Sequence, residues 1–141
     1  MDGIDPMGLV FARWRRRASS ALGAYGITFA QYQLIRLARL RGALSPSAAA
    51  EELGSDRPTM TLVARSCVGK GWLDRRASPG DKRSFRLSLS GQGEELLDRI
   101  EADRALGPQK LGNPLDILDS TERAELLRLL DRIERRSRDV L

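Results

Sequence analysis

The feature that most constrains this chain is a change of apolar period within the stretch from Ser45 to Ser90. Ser45-Pro46 offers a helix cap followed by a proline at the first helical position, and Leu53-Gly54 offers a stop, so a helix of only about two turns is predicted. Asp56 then caps another helix, whose first turn tolerates Pro58 and which runs to Lys70 before Gly71 ends it. Beyond it the spacing falls to two. Trp72–Ala77 and Phe85–Leu89 read as strands, with Phe85, Leu87 and Leu89 alternating with Ser84, Arg86 and Ser88, and with Ser78-Pro79-Gly80-Asp81 as the turn. Two helices meeting across a tight turn and followed by a hairpin make a winged helix-turn-helix.

The flanking segments are helical. From Leu9 to Tyr25, Phe11, Trp14, Ala18, Ala21, Leu22 and Tyr25 recur at helical spacing, while Arg13, Arg15, Arg16 and Arg17 fill other faces. Thr28 and Gln31 have capping-box spacing ahead of a stretch through Tyr32, Ile35, Leu37 and Leu40 that stops at Gly42. After Ser90, Leu96, Leu97 and Ile100 predict a helix to about Leu106, where Gly107-Pro108 breaks it; the segment to Leu118, with Gly112, Asn113 and Pro114, reads as irregular. Ser120 is placed as the cap of a last helix on which Leu126, Leu130, Ile133 and Val140 form an apolar stripe among charges. Such a stripe needs a partner, and Phe11, Trp14, Leu126, Leu130, Ile133 and Val140 are the expected homodimer contacts. The fold class is thus mainly α with a small β-hairpin wing. Residues 1–8 are set aside as a disordered or non-native start; 9–141 form one domain, with 28–90 as the reading part and 9–25 and 91–141 as dimerisation helices.

Composition narrows the chemistry. At 141 residues and 41% hydrophobic, the chain can bury one core without staples. It has no histidine and one cysteine, Cys67, which argues against a zinc site, a Cys-His nucleophile, a histidine base and an internal disulfide. Glu51-Glu52 and Glu94-Glu95 are adjacent on helices and diverge, so neither pair makes an acid–base couple. No enzyme, cofactor or metal is expected. No apolar run is long enough to span a bilayer and no signal-peptide core follows the start, so a cytoplasmic protein without a membrane partner is expected.

The charge is unevenly placed. Residues 55–90 carry Arg57, Arg65, Lys70, Arg75, Arg76, Lys82, Arg83 and Arg86 against Asp56, Asp74 and Asp81, a local excess equal to the +5 of the whole chain. On the helix after Asp56, Met60, Val63, Ala64 and Cys67 share the inner side, which predicts a buried, unreactive thiol. The outer side carries Pro58, Thr61, Leu62, Arg65 and Gly69, side chains that suit a DNA groove, where arginine can bond guanine and threonine can meet phosphate or a thymine methyl. Lys82 and Arg83 at the hairpin tip could reach a narrow minor groove. The candidate contacts with double-stranded DNA are Ser45, Arg57, Pro58, Thr59, Thr61, Leu62, Arg65, Arg75, Arg76, Lys82, Arg83 and Arg86. The rival reading is a winged-helix module that binds a protein instead, without sequence-specific DNA binding.

Four segments, in order, resemble the MarR family of bacterial transcriptional regulators. Gly26-Ile27-Thr28-Phe29-Ala30-Gln31-Tyr32 is similar to the family's approach to its second helix, and Asp56-Arg57-Pro58-Thr59-Met60-Thr61 to the start of its recognition helix. Lys70-Gly71-Trp72-Leu73 resembles the exit into the wing; Asp81-Lys82-Arg83-Ser84-Phe85-Arg86-Leu87-Ser88-Leu89-Ser90-Gly91-Gln92-Gly93 resembles the wing signature. The resemblance, from Leu9 to the C-terminus, implies a dimeric repressor whose recognition helices enter successive major grooves of a pseudo-palindromic operator while the wings enter the minor groove. It also implies that Arg83 is the minor-groove arginine, that Asp81 orients it, and that a small aromatic or anionic effector binds between the dimerisation and reading parts. Ser66-Cys67-Val68-Gly69 and the connector from Gly107 to Pro114 depart from the family pattern.

Overall fold

The computed structural model describes residues 3, 5–103 and 114–140, without the side chains of 81–83 and 114. Its elements are α1 (Pro6–Gly23), α2 (Phe29–Arg41), α3 (Pro46–Leu53), α4 (Arg57–Gly69), β1 (Leu73–Ser78), β2 (Asp81–Leu89), α5 (Gly91–Ala102), a 3-10 turn at Pro114–Ile117 and α6 (Ser120–Val140). The fold is mainly helical, with one antiparallel hairpin.

α2 is the centre of the core. Its Leu34 and Ile35 are fully buried, and Leu22 of α1, Cys67 of α4, Leu87 of β2 and Leu97 and Ile100 of α5 close on the same cluster. Side chains of this size each contribute about 1.5–3 kcal/mol when taken from water, which is why the long amphipathic pattern of α2 sets the fold rather than the short α3. The Thr28–Gln31 capping box forms as the spacing predicts: the Gln31 amide N–H donates to Thr28 Oγ1 at 3.1 Å, and the Thr28 amide N–H donates to Gln31 Oε1 at 2.9 Å.

The two helices of the helix-turn-helix are held by their ends. Ser45 Oγ accepts from the Ala48 amide at 3.1 Å, and Gly54 closes α3 in the left-handed region, φ 64°, which an L side chain adopts only with strain. Asp56 starts α4 immediately afterwards. The hairpin turns on Pro79-Gly80, Gly80 again having positive φ, so Ser78 pairs with Asp81. An isolated bridge between Leu44 and Leu87, with N–H···O distances of 3.0 and 2.8 Å, ties the wing root to the α2–α3 connection.

Several boundaries differ from the sequence expectation. Residues 6–8 belong to α1, because Asp5 Oδ2 accepts from the Gly8 amide at 2.9 Å and Pro6 sits where its missing N–H costs nothing. α1 stops at Gly23, before Tyr25. β2 starts at Asp81 rather than Phe85, and because Ala77 pairs with Phe85 while Ser78 pairs with Asp81, residues 82–84 form a bulge opposite β1. α5 ends at Ala102 rather than near Leu106, with Asp103 in extended backbone; Leu106, Gly107-Pro108 and Gly112-Asn113 lie outside the described residues. The cap of α6 is Asp119, not Ser120: its Oδ1 accepts from the Glu122 amide at 2.9 Å, and Glu122 Oε2 accepts from the Asp119 amide at 3.0 Å.

Candidate nucleic-acid interface

The candidate surface is built from α4 and the hairpin. Met60, Ala64 and Cys67 of α4 are buried against α2, and Val63 is half-buried beside them. Helical spacing therefore turns Arg57, Pro58, Leu62 and Arg65 outward as exposed residues, with Thr61 half-buried at the edge. Leu62 is 63% exposed, an apolar side chain free to meet a thymine methyl. Thr59 is exposed, but its hydroxyl donates to Asp56 Oδ2 at 2.8 Å and its amide to Asp56 Oδ1 at 2.8 Å. Thr59 completes the cap of α4, so its hydroxyl proton is not offered to DNA in this conformation. The two Thr59 donors hold the Asp56 carboxyl below the ordinary range. Ser45 is likewise engaged at the cap of α3 and half-buried.

Strand register sorts the wing arginines. Leu73 pairs with Leu89, Arg75 with Leu87 and Ala77 with Phe85, so these residues share the face that carries the core contacts. Asp74 with Ser88 and Arg76 with Arg86 share the other face. Arg76 and Arg86 therefore stand directly opposite one another, an unfavourable pairing of like charges. Arg75 is exposed at the rim of the inner face, with its guanidinium carbon 3.9 Å from the Phe85 ring centroid. The backbone of Lys82 and Arg83 lies in the bulge beside the turn; the side chains of Asp81, Lys82 and Arg83 lie outside the described residues, as does any orientation of Arg83 by Asp81.

The ion pairs among the described residues lie away from this surface. Arg39 of α2 reaches Glu94, Asp98 and Glu101 of α5 at 2.7, 2.5 and 3.1 Å. Arg41 pairs with Glu52, Arg123 with Asp116, Arg128 with Glu125, Arg135 with Asp131 and Arg138 with Glu134. All of these ion pairs lie outside 55–90. Among the described residues, Arg57, Arg65, Arg75, Arg76 and Arg86 pair with no carboxylate.

Sequence reasoning missed the tie that sets α4 against α2. Gln31 is buried, and while its Oε1 serves the cap, its Nε2 donates to Ser66 Oγ of α4 at 2.7 Å. A glutamine in a capping box signals only the local bond; the long-range one needs the packed helices. Cys67 is buried as its position predicts, and desolvation pushes its thiol up to about 12. Among the expected dimer contacts, Trp14 is half-buried edge-on to Phe29, with ring centroids 5.2 Å apart, and thus also serves the chain's own core. Phe11 is exposed beside it, whereas no residue of α6 is buried: Leu126 and Leu130 are half-buried, and Ile133 and Val140 are exposed. No helix among the described residues is long and apolar enough to cross a membrane.

Comparison with known proteins agrees with this geometry. The family model described as MarR family matches residues 25–84, from the turn after α1 into β2. The regulator PecS of Dickeya dadantii is 25% identical over 123 residues, covering 85% of this chain and 72% of PecS. The transcriptional repressor MprA of Escherichia coli is 28% identical over 97 residues, covering 68% of this chain but only 55% of MprA. In fold, the chain superimposes on a mutant of MarR from E. coli complexed with operator DNA with a TM-score of 0.77 at 24% identity, covering 90% of this chain and 89% of that one. The order of elements, the matched segment and these relatives agree: the chain has a winged helix-turn-helix fold and is similar to the MarR family of transcriptional regulators.

Proposed function

We propose that the chain is a sequence-specific, double-stranded DNA-binding repressor that acts as a homodimer on a pseudo-palindromic operator, in the cytoplasm and without catalysis. The observation that carries this reading is the set of exposed arginines on α4 and the wing with no carboxylate partner among the described residues. Cations left without internal partners are available to phosphates, and released counterions then drive association. Arg57, Pro58, Thr61, Leu62 and Arg65 would face the major groove, Arg75, Arg76 and Arg86 the flanking phosphates, and Lys82 and Arg83 the minor groove. The unburied stripe of α6 supports a second copy as the dimer partner.

An effector between the reading head and the dimer helices would change the spacing of the two heads and lower affinity for the operator. The open groove between α3 and α6 is lined by Ala48, Leu53, Glu51, Glu52, Glu134 and Arg138.

Selecting bound fragments from the source genome and titrating the best of them with salt tests the function. Log K should fall by about 0.9 per phosphate contact as log salt rises, and the selected sites should contain two half-sites about one helical turn apart. Failure to bind mixed genomic fragments at low salt would refute the reading and favour a protein-interaction module.

A further inference from the structure

We infer that Phe85 is a positioning residue for DNA binding: its ring is the platform that holds the Arg75 guanidinium ready for a phosphate. This rests on the DNA-binding reading above and deepens it. The sequence pattern assigns Phe85 only to the inner face of the wing. The structure adds that Ala77 pairs with Phe85 and Arg75 with Leu87, so Arg75 and Phe85 are diagonal neighbours on one face.

The guanidinium carbon of Arg75 lies 3.9 Å from the ring centroid, closer than in the other arginine–aromatic contacts among the described residues, at 5.4, 5.4 and 5.5 Å. Phe85 is itself partly buried and packed against the core, which restricts its ring. A guanidinium against a ring face keeps its N–H edge free, and its planar fork suits two phosphate oxygens. Arg75 has no carboxylate partner among the described residues to compete for that edge. The ring thus removes rotamer freedom before binding, which lowers the entropic cost of the contact.

The test is a double-mutant cycle of Phe85→Leu and Arg75→Ala. Its probe is a labelled mixed-sequence duplex of about 30 base pairs at about 50 mM salt, because a phosphate contact needs no particular sequence. Phe85→Leu should weaken binding by about 5- to 30-fold in a dimer that uses both wings. In the Arg75→Ala background the same change should alter affinity by no more than about twofold. Phe85→Tyr, which keeps the ring, should bind like the parent. Arg75→Ala should lower the salt slope, and Phe85→Leu should leave it unchanged, since the contact is made but less readily.

An unchanged affinity for Phe85→Leu, or an equal loss in the Arg75→Ala background, would overturn the platform while leaving DNA binding intact. Absence of binding by the parent protein would refute the DNA reading, and this inference with it. Thermal melts of every variant identify a misfolded wing; if Phe85→Leu melts early, the contrast between Phe85→Tyr and Phe85→Trp on one side and Phe85→Met on the other decides the matter, with equal affinities counting against the platform.

Discussion

The direct opposition of Arg76 and Arg86 makes stability and DNA affinity respond in opposite directions to one substitution. Arg76→Thr removes the like-charge pair and places a strand-favouring residue in β1. Cross-strand pair energies put the gain in the free protein at about 0.2–1 kcal/mol, or a melting point higher by about 1–3 °C in a chain of this size. Screening should shrink that gain at high salt. On DNA the same change removes one phosphate contact per protomer and two per dimer, so the slope of log K against log salt should lose about 1.8. The variant's affinity defect should then narrow by about 12-fold between about 50 and about 200 mM salt. Differential scanning fluorimetry and fluorescence anisotropy over a salt series read the two effects. A variant that melts below the parent, or whose salt slope is unchanged, would refute the reasoning that this pair is held for a phosphate.

The stripe on α6 predicts that Leu130→Asp with Ile133→Asp leaves a monomer by sedimentation and abolishes cooperative binding to two half-sites; a variant that remains dimeric would remove α6 from the interface. With its thiol buried and pushed up to about 12, Cys67 should react with an alkylating reagent at pH 8 much more slowly in the native protein than in denaturant, and mild oxidant should not change DNA affinity. Because this raised value favours the folded state with the thiol protonated, its contribution is complete below about pH 9 and is lost as pH rises towards 12, so thermal stability should decline across that window. Gly93→Ala would place a Cβ 2.2 Å from the Trp72 carbonyl oxygen and 2.6 Å from Leu89 Cδ1, forcing α5 off the wing root. The expected loss is about 1–3 kcal/mol despite alanine's better helix propensity, and a melting point at or above the parent's would contradict it.

What the chain reveals as sequence is what depends on local chemistry. Ser45, Gly54 and Asp56 mark helix ends because a cap or a left-handed residue acts within one turn, and they bound α3 and α4 where expected. The inner side of α4 is legible from the spacing of Met60, Ala64 and Cys67 for the same reason. The start of β2 is not, because Lys82-Arg83-Ser84 has no strand pattern and joins the strand only through pairing across Pro79-Gly80 and a bulge. Nor is the role of Thr59: a threonine on an exposed helix start offers its hydroxyl equally to DNA or to Asp56, and only the folded geometry shows it given to Asp56. The stacking of Arg75 on Phe85 is hidden likewise, since it depends on register.

The contacts at the two ends of α2 bear on how a dimer could regulate its reading heads. Near its N-terminus, Gln31 bonds Ser66 on α4 at 2.7 Å; near its C-terminus, Arg39 is clasped by Glu94, Asp98 and Glu101 on α5. Between them Leu34 and Ile35 are fully buried, so α2 is packed too densely to bend without cost. In the proposed dimer, a shift of α5 would therefore move α2 as a rod and carry α4 with it, rather than being absorbed between them. Arg39→Lys, which keeps the charge but loses the fork that spans three carboxylates, would loosen that transmission without touching the proposed DNA surface.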